Sequence, residues 1–217
     1  MKKKIIFWGG TGQAIVNKEI VDLLNYKLVA IFDDTKNLNS PFQDINVYNG
    51  WQGFEKWKVG KDLSKFYFSI AIGNPNGDIR IKIAKKLKSY GLTPIDLIHP
   101  SAIINKDASI GEGVQIMAGA IIQARVIIGN QCIINTKASI DHEVVLGDGC
   151  EVGPGATLCG DIKLGNNAWV CAGATILPRL KIGKNSIIGA GSLLTKNVTS
   201  NKIFYGVPAI FKKQINK

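Results

Sequence analysis

Histidine is scarce in this chain: its 217 residues hold two, His99 and His142. A zinc site of the three-imidazole type therefore has no ligand set here, and no metal is expected. Cysteine is spare as well. The four cysteines lack close-pair spacing, which argues against a metal knuckle and against a disulfide framework. Cys132 and Cys150 stand eighteen residues apart and read as small core residues of a reducing compartment. No apolar run nears the ~20 residues that a membrane span requires, and the opening MKKKIIFWGGTG breaks into glycines too early for a signal peptide. Charge is not concentrated either. The net charge of +11 divides as 15 basic and 9 acidic residues over 1–100, and 12 and 7 over 101–217. That even spread disfavours a nucleic-acid surface. It suits small anionic ligands, although solvated lysines explain it more simply.

What is present is a period of six. Cut from Ser101, the chain gives sixteen consecutive blocks whose fourth residue is aliphatic, from Ile104, Ile110 and Ile116 through Ile140 and Val170 to Leu194. A small residue such as Ala120, Cys132 or Ala156 stands two places earlier, and glycine often follows, as at Gly129 and Gly147. Neither a helix nor a hairpin ladder has this period. It is the hexapeptide repeat of a parallel β-helix, in which three blocks close one triangular coil and the aliphatic side chains stack inside. Sixteen blocks make just over five coils, a prism about 25 Å long at ~4.8 Å per strand. The glycines are expected to supply turn conformations that side chains resist.

Before the repeat lies a different pattern. Lys3–Trp8 reads as a buried strand, Gly9-Gly10-Thr11-Gly12 as a glycine turn, residues 13–24 as an amphipathic helix, and Lys27–Phe32 as a second strand ending at Asp33-Asp34. This is the opening of a doubly wound nucleotide-binding unit. The turn lets backbone N–H groups approach a ligand at a helix N-terminus, and the acidic pair can accept hydrogen bonds from ribose or base. The turn lacks full GxGxxG spacing. Residues 35–64 read as irregular, with Trp51, Phe54 and Trp57 packing; Phe66–Ile72 is a third strand and residues 78–89 a helix. The expected organisation is an α/β Rossmann-like domain over 1–98, an all-β left-handed parallel β-helix over 99–198, and a tail over 199–217 packed on the last coils.

Few side chains can carry chemistry. His99 sits at the domain junction, where a packing or backbone-bonding role is expected. His142 follows the inward Ile140 by two, so it projects outward at a turn, flanked by Asp141 and Glu143. A carboxylate hydrogen-bonded to an imidazole favours its protonated form and makes it a stronger base.

The segments WGGTGQA, FDD, AIGN followed by Arg80, LIHPSA, NTKASIDHE, GPGATLCG and GVPA together resemble the sugar acetyltransferases of the hexapeptide-repeat superfamily that carry a small N-terminal Rossmann-like domain. The resemblance implies a cytoplasmic homotrimer that transfers acetyl from acetyl-CoA to the amino group of a nucleotide-linked sugar in glycan biosynthesis. It implies no nucleic-acid or membrane partner. By position it makes His142 the general base and Glu143 its carboxylate partner. Thr11, Gly12, Gln13, Asp33, Asp34 and Gly73 fall where the family binds the nucleotide-sugar, and Glu151, Gly160, Ala172 and Ala190 where it meets acetyl-CoA. Gln13 and Glu151 occupy positions where the family often has histidine. O-acetylation of a free sugar such as sialic acid, and a non-catalytic sugar-nucleotide scaffold, remain alternative expectations.

Overall fold

The computed structural model describes residues 2–216. Two compact units form: one runs to Ile72 and resumes over Lys82–Leu97, while the other takes Gly73–Ile81 and the chain from Ile98 onward.

In the repeat unit each of the sixteen aliphatic residues is the second residue of a two-residue strand, from Ile103–Ile104 to Leu193–Leu194. Every strand up to Thr175–Ile176 pairs in parallel with the strand one coil later, as Ile122 with Ile140 and Ile140 with Leu158. Three sheets result, of six, five and eight strands. These hexapeptide-repeat parallel sheets are consistent with a left-handed β-helix. The eight-stranded sheet is extended at its end by Lys202–Tyr205, parallel to Ile187–Ile188, and then by Ile210–Gln214, antiparallel to it.

The core follows from the repeat. From Ile116 to Leu194 the inward aliphatic column is at most 3% exposed, and Ala120, Cys132, Ala138, Cys150 and Ala156 are fully buried beside it. Each such aliphatic side chain contributes roughly 1.5–3 kcal/mol by leaving water. Coils above and below fix the prism wall, so a hole inside it cannot collapse. Ile140→Ala is therefore expected to cost about 2–5 kcal/mol, read as a lowered urea midpoint with unchanged slope.

The glycines after the aliphatic positions have a different reason from the one expected. Gly111, Gly129, Gly147, Gly153, Gly165 and Gly183 are not in the left-handed region. They lie against the next coil: a Cβ on Gly153 would stand 2.7 Å from Ala172 N, and one on Gly129 2.7 Å from Asp148 N. Close stacking, not turn conformation, excludes a side chain there. The left-handed residue of each turn comes two places later, and at one corner of the prism it is not glycine: Arg125, Glu143, Asp161 and Arg179 have φ of 60°, 61°, 55° and 63°.

The other unit is α/β. Its strands are β1 (Lys4–Trp8), β2 (Lys27–Asp33), β3 (Val47–Asn49), β4 (Phe66–Ile70) and β5 (Thr93–Pro94), in the order β3-β2-β1-β4-β5 and all parallel. Helix α1 (Gly12–Leu23) joins β1 to β2. The stretch expected to be irregular instead contains β3 and helix α2 (Gly50–Trp57). The buried residues Gly50, Phe54 and Trp57 have helical spacing, but two glycines in eight residues mask the propensity. Trp51, Phe54 and Trp57 do pack: Trp51 lies 3.9 Å from Trp8 between ring centroids, and Phe54 and Trp57 meet Phe32 edge-on. Among the described residues no helix is long and apolar enough to cross a membrane.

Candidate active site

His142 stands in the turn between strands Ser139–Ile140 and Val145–Leu146. Inward burial of Ile140 and Val144 anchors both sides of that turn. The His142 backbone is fixed twice, its N–H donating to Asp141 Oδ1 at 2.7 Å and its carbonyl accepting from Asp161 N at 2.9 Å. The side chain stays 56% exposed. Its Nδ1 lies 3.1 Å from Glu143 Oε2. A carboxylate can only accept, so Nδ1 carries the proton in this contact, and in the neutral ring Nε2 presents its lone pair. Nε2 has no hydrogen-bond partner among the described residues. A Cβ built on Gly160, one coil along, would stand 2.4 Å from it.

Glu143 is held from its other side by Arg125, whose Nη1 lies 3.3 Å from Glu143 Oε1. The hydrogen bond with His142, and then that with Arg125, keep the Glu143 carboxyl below its ordinary range. Removing the guanidinium lets it rise. In Arg125→Ala the Glu143 carboxyl carbon, followed by NMR, is expected to titrate at a higher pH than in the parent; an equal or lower midpoint contradicts the contact. Sequence reading gave Arg125 no part, although the signal existed. It stands one coil before Glu143 with opposite charge, and residues one coil apart stack.

The remaining candidate residues fall into separate places. His142 and Gly160 share one corner of the prism. Ala172 and Ala190 are exposed turn residues following Trp169–Val170 and Ile187–Ile188, and so belong to another corner. Glu151 is on a flat face, in strand Glu151–Val152, and only 7% exposed. Its Oε2 accepts from Asn74 N at 2.8 Å, and Gly73 packs beside it. Burial pushes the Glu151 carboxyl up, against the pull of that N–H and of Arg80.

Arg80 is the side chain that sequence reading undervalued. It is fully buried. Its Nε donates to Gln131 O at 2.9 Å, Nη1 to Asn74 Oδ1 at 2.9 Å, and Nη2 to Gly149 O at 2.8 Å. Burial pushes its pKa down and Glu151 opposes that. Nothing in the hexapeptide pattern marks it, because it lies outside the repeat.

In the α/β unit, Thr11 is the N-cap of α1 and Gly12 its first residue. Gln13 Nε2 donates to Asn17 Oδ1 at 3.2 Å. Asp33 shapes the glycine turn: Oδ2 accepts from Gly10 N at 2.8 Å and Oδ1 from Thr35 N at 2.9 Å. Asp34 is exposed, with Gly50 packed on its carboxylate. Gly9, at φ 106°, lies where a Cβ would stand 2.2 Å from Ala71 O.

Cys132, Cys150 and Cys171 are poor nucleophiles. Cys132 and Cys150 are fully buried, and the Cys150 thiol is pushed up by its contact with Cys132 and by burial. Burial, with Glu151, raises Cys171 to about 11. His99 Nδ1 is taken by Ser101, through the backbone N–H at 3.0 Å and the hydroxyl at 2.7 Å. Among the described residues no group of three or more His, Cys, Asp or Glu is placed to hold a metal ion.

The pattern of the bacterial transferase hexapeptide (six repeats) family matches residues 107–141, 125–160 and 161–196. UDP-N-acetylbacillosamine N-acetyltransferase of Bacillus subtilis (strain 168) is 34% identical over 126 residues, 54% of this chain and 52% of that protein. The chain thus spans about half the length of that curated relative. A mutant of GDP-perosamine N-acetyltransferase from Caulobacter crescentus, solved in complex with CoA and GDP-perosamine, matches with a TM-score of 0.87 and 29% identity over 97% of both chains. The acetyltransferase domain of PglB from Neisseria gonorrhoeae FA1090 matches at 0.86 and 25% identity, over 97% of this chain and all of that one. Residues 107–196 thus carry the hexapeptide-repeat pattern, and the chain is homologous to UDP-N-acetylbacillosamine N-acetyltransferase and to the perosamine and PglB N-acetyltransferases.

Proposed function

We propose that this protein is an acetyl-CoA-dependent N-acetyltransferase acting on the amino group of a nucleotide-linked sugar in surface glycan biosynthesis, in the cytoplasm. The observation that carries the reading is the exposed His142 imidazole, bonded to Glu143 through Nδ1 and open at Nε2. Its relatives, solved with CoA and GDP-perosamine, supply the substrate class.

The neutral amine is the nucleophile, and its nitrogen becomes acidic as the C–N bond forms, so a base must stand ready to take one proton from it. In the proposed mechanism the amine nitrogen bonds to the thioester carbonyl carbon while His142 Nε2 takes a proton from it. Glu143 stabilises the imidazolium that forms. The tetrahedral intermediate then expels the CoA sulfur, and the imidazolium returns a proton to it. Backbone N–H groups stabilise the oxyanion, and holding both substrates together supplies much of the remaining acceleration. Direct transfer fits the hard-to-ionise thiols of Cys150, which is buried, and Cys171, which is part-buried.

The β3-β2-β1-β4-β5 order supports a Rossmann-like reading of the α/β unit. Thr11, Gly12, Gln13, Asp34 and Gly73 are assigned to the nucleotide-sugar, with Asp33 shaping the turn. Glu151, Gly160, Ala172 and Ala190 are assigned to acetyl-CoA. Because His142 and Ala172 stand at different corners of one prism, a site using both needs a second copy, which favours the homotrimer. Soaking crystals with CoA and UDP-, dTDP- and GDP-linked amino sugars tests the assignment. One amino nitrogen should order within hydrogen-bond reach of His142 Nε2; CoA ordering only on a face remote from His142 overturns it.

A further inference from the structure

We propose that Gly160 is a positioning residue: its missing side chain is the seat on which the His142 imidazole lies. The inference rests on reading His142 as the base, but goes beyond a contact with acetyl-CoA, because it acts through the ring. A Cβ built on Gly160 would stand 2.4 Å from His142 Nε2, 2.5 Å from Cε1 and 3.1 Å from Cδ2. No real Cβ approaches a ring so closely, so any side chain here evicts the imidazole.

The backbone does not ask for glycine. Gly160 lies outside the left-handed region; the residue of this turn that occupies it is Asp161, with φ 55°. The same turn position one coil apart holds Lys106, Ala124, His142 and Pro178, so the turn accepts side chains. The column is in direct stack, with Asp161 N donating to His142 O at 2.9 Å and Arg179 N to Gly160 O at 3.0 Å. The one glycine in the column is therefore the residue immediately over the one histidine. Glu143 tethers the ring at Nδ1 and Gly160 leaves room for its Nε2 edge, so both edges are defined.

The test is Gly160→Ala. It preserves every backbone N–H a ligand could use and removes only the seat. With two histidines in the chain, the imidazole cross-peak of His142 is the one lost in His142→Ala. In ligand-free Gly160→Ala that peak is expected to shift. The kcat is expected to fall about 100-fold, as a ring displaced by ~1 Å implies, with the CoA dissociation constant within about threefold of the parent. A folded variant whose cross-peak does not move overturns the inference, whatever its activity. A kcat loss matched by an equal loss of CoA affinity, with the peak unmoved, returns Gly160 to ligand contact alone.

Stability gives a second readout that needs no substrate. If the alanine methyl collides with the imidazole, the fall in urea midpoint caused by Gly160→Ala disappears when His142→Ala is already present. A fall that persists in the double variant places the collision elsewhere and also overturns the inference.

Discussion

Replacing His142 with alanine is expected to lower kcat for acetyl transfer by roughly 10²- to 10⁴-fold, the range for losing a positioned general base. The fold should be untouched, because the side chain is 56% exposed and the turn is held through backbone groups of residue 142 that alanine retains. Affinity for CoA should also persist. Glu143 acts only through the ring, so adding Glu143→Gln to His142→Ala should cost nothing further, whereas Glu143→Gln alone should slow the parent. Such non-additivity is the behaviour of residues that work as a unit. Steady-state kinetics on the four proteins, with thermal melts as the folding control, checks it. Near-normal turnover in His142→Ala would remove the imidazole from the mechanism, and independent additive losses would separate Glu143 from it.

Arg80→Met is the second large effect, expected on stability. The guanidinium is buried and donates to the carbonyls of Gln131 and Gly149 and to the Asn74 side chain. Methionine fills much of the volume but donates nothing, so those acceptors lose their donor and the buried Glu151 loses its neighbouring cation. Breaking a buried charged arrangement from one side costs about 3–5 kcal/mol, and each orphaned buried acceptor adds desolvation of its own. Arg80→Lys should recover little. A single ammonium cannot reproduce a planar fork reaching several acceptors. Urea unfolding of the three proteins measures this, and a Met or Lys variant within ~1 kcal/mol of the parent contradicts it.

How much of this was legible in the sequence depends on period. The prism announced itself because each coil repeats the same inward requirement, so Ile104 to Leu194 could be placed without structure. His142 was legible for the same reason: two places beyond an inward isoleucine, it had to face out. Gly129 and Gly153 were seen but misread, since a linear pattern carries no information on how near the next coil lies. Helix α2 was hidden because Gly50 and Gly53 dilute a buried face that is otherwise regular. Arg80 was quoted within a motif without a role, because only tertiary structure shows which carbonyls surround it. Gly160 was named for a ligand, and its place over His142 required the stack of coils to be seen.

The most direct measurement of the central claim is CoA release. Wild-type protein is supplied with acetyl-CoA and, in turn, UDP-, dTDP- and GDP-linked amino sugars and free sialic acid, with free thiol and product followed together. Thiol release matched one-for-one by an acetamide on one of the nucleotide-linked amino sugars is expected. Acetyl ester on sialic acid, or no thiol release with any amino sugar while the protein is folded, would contradict it.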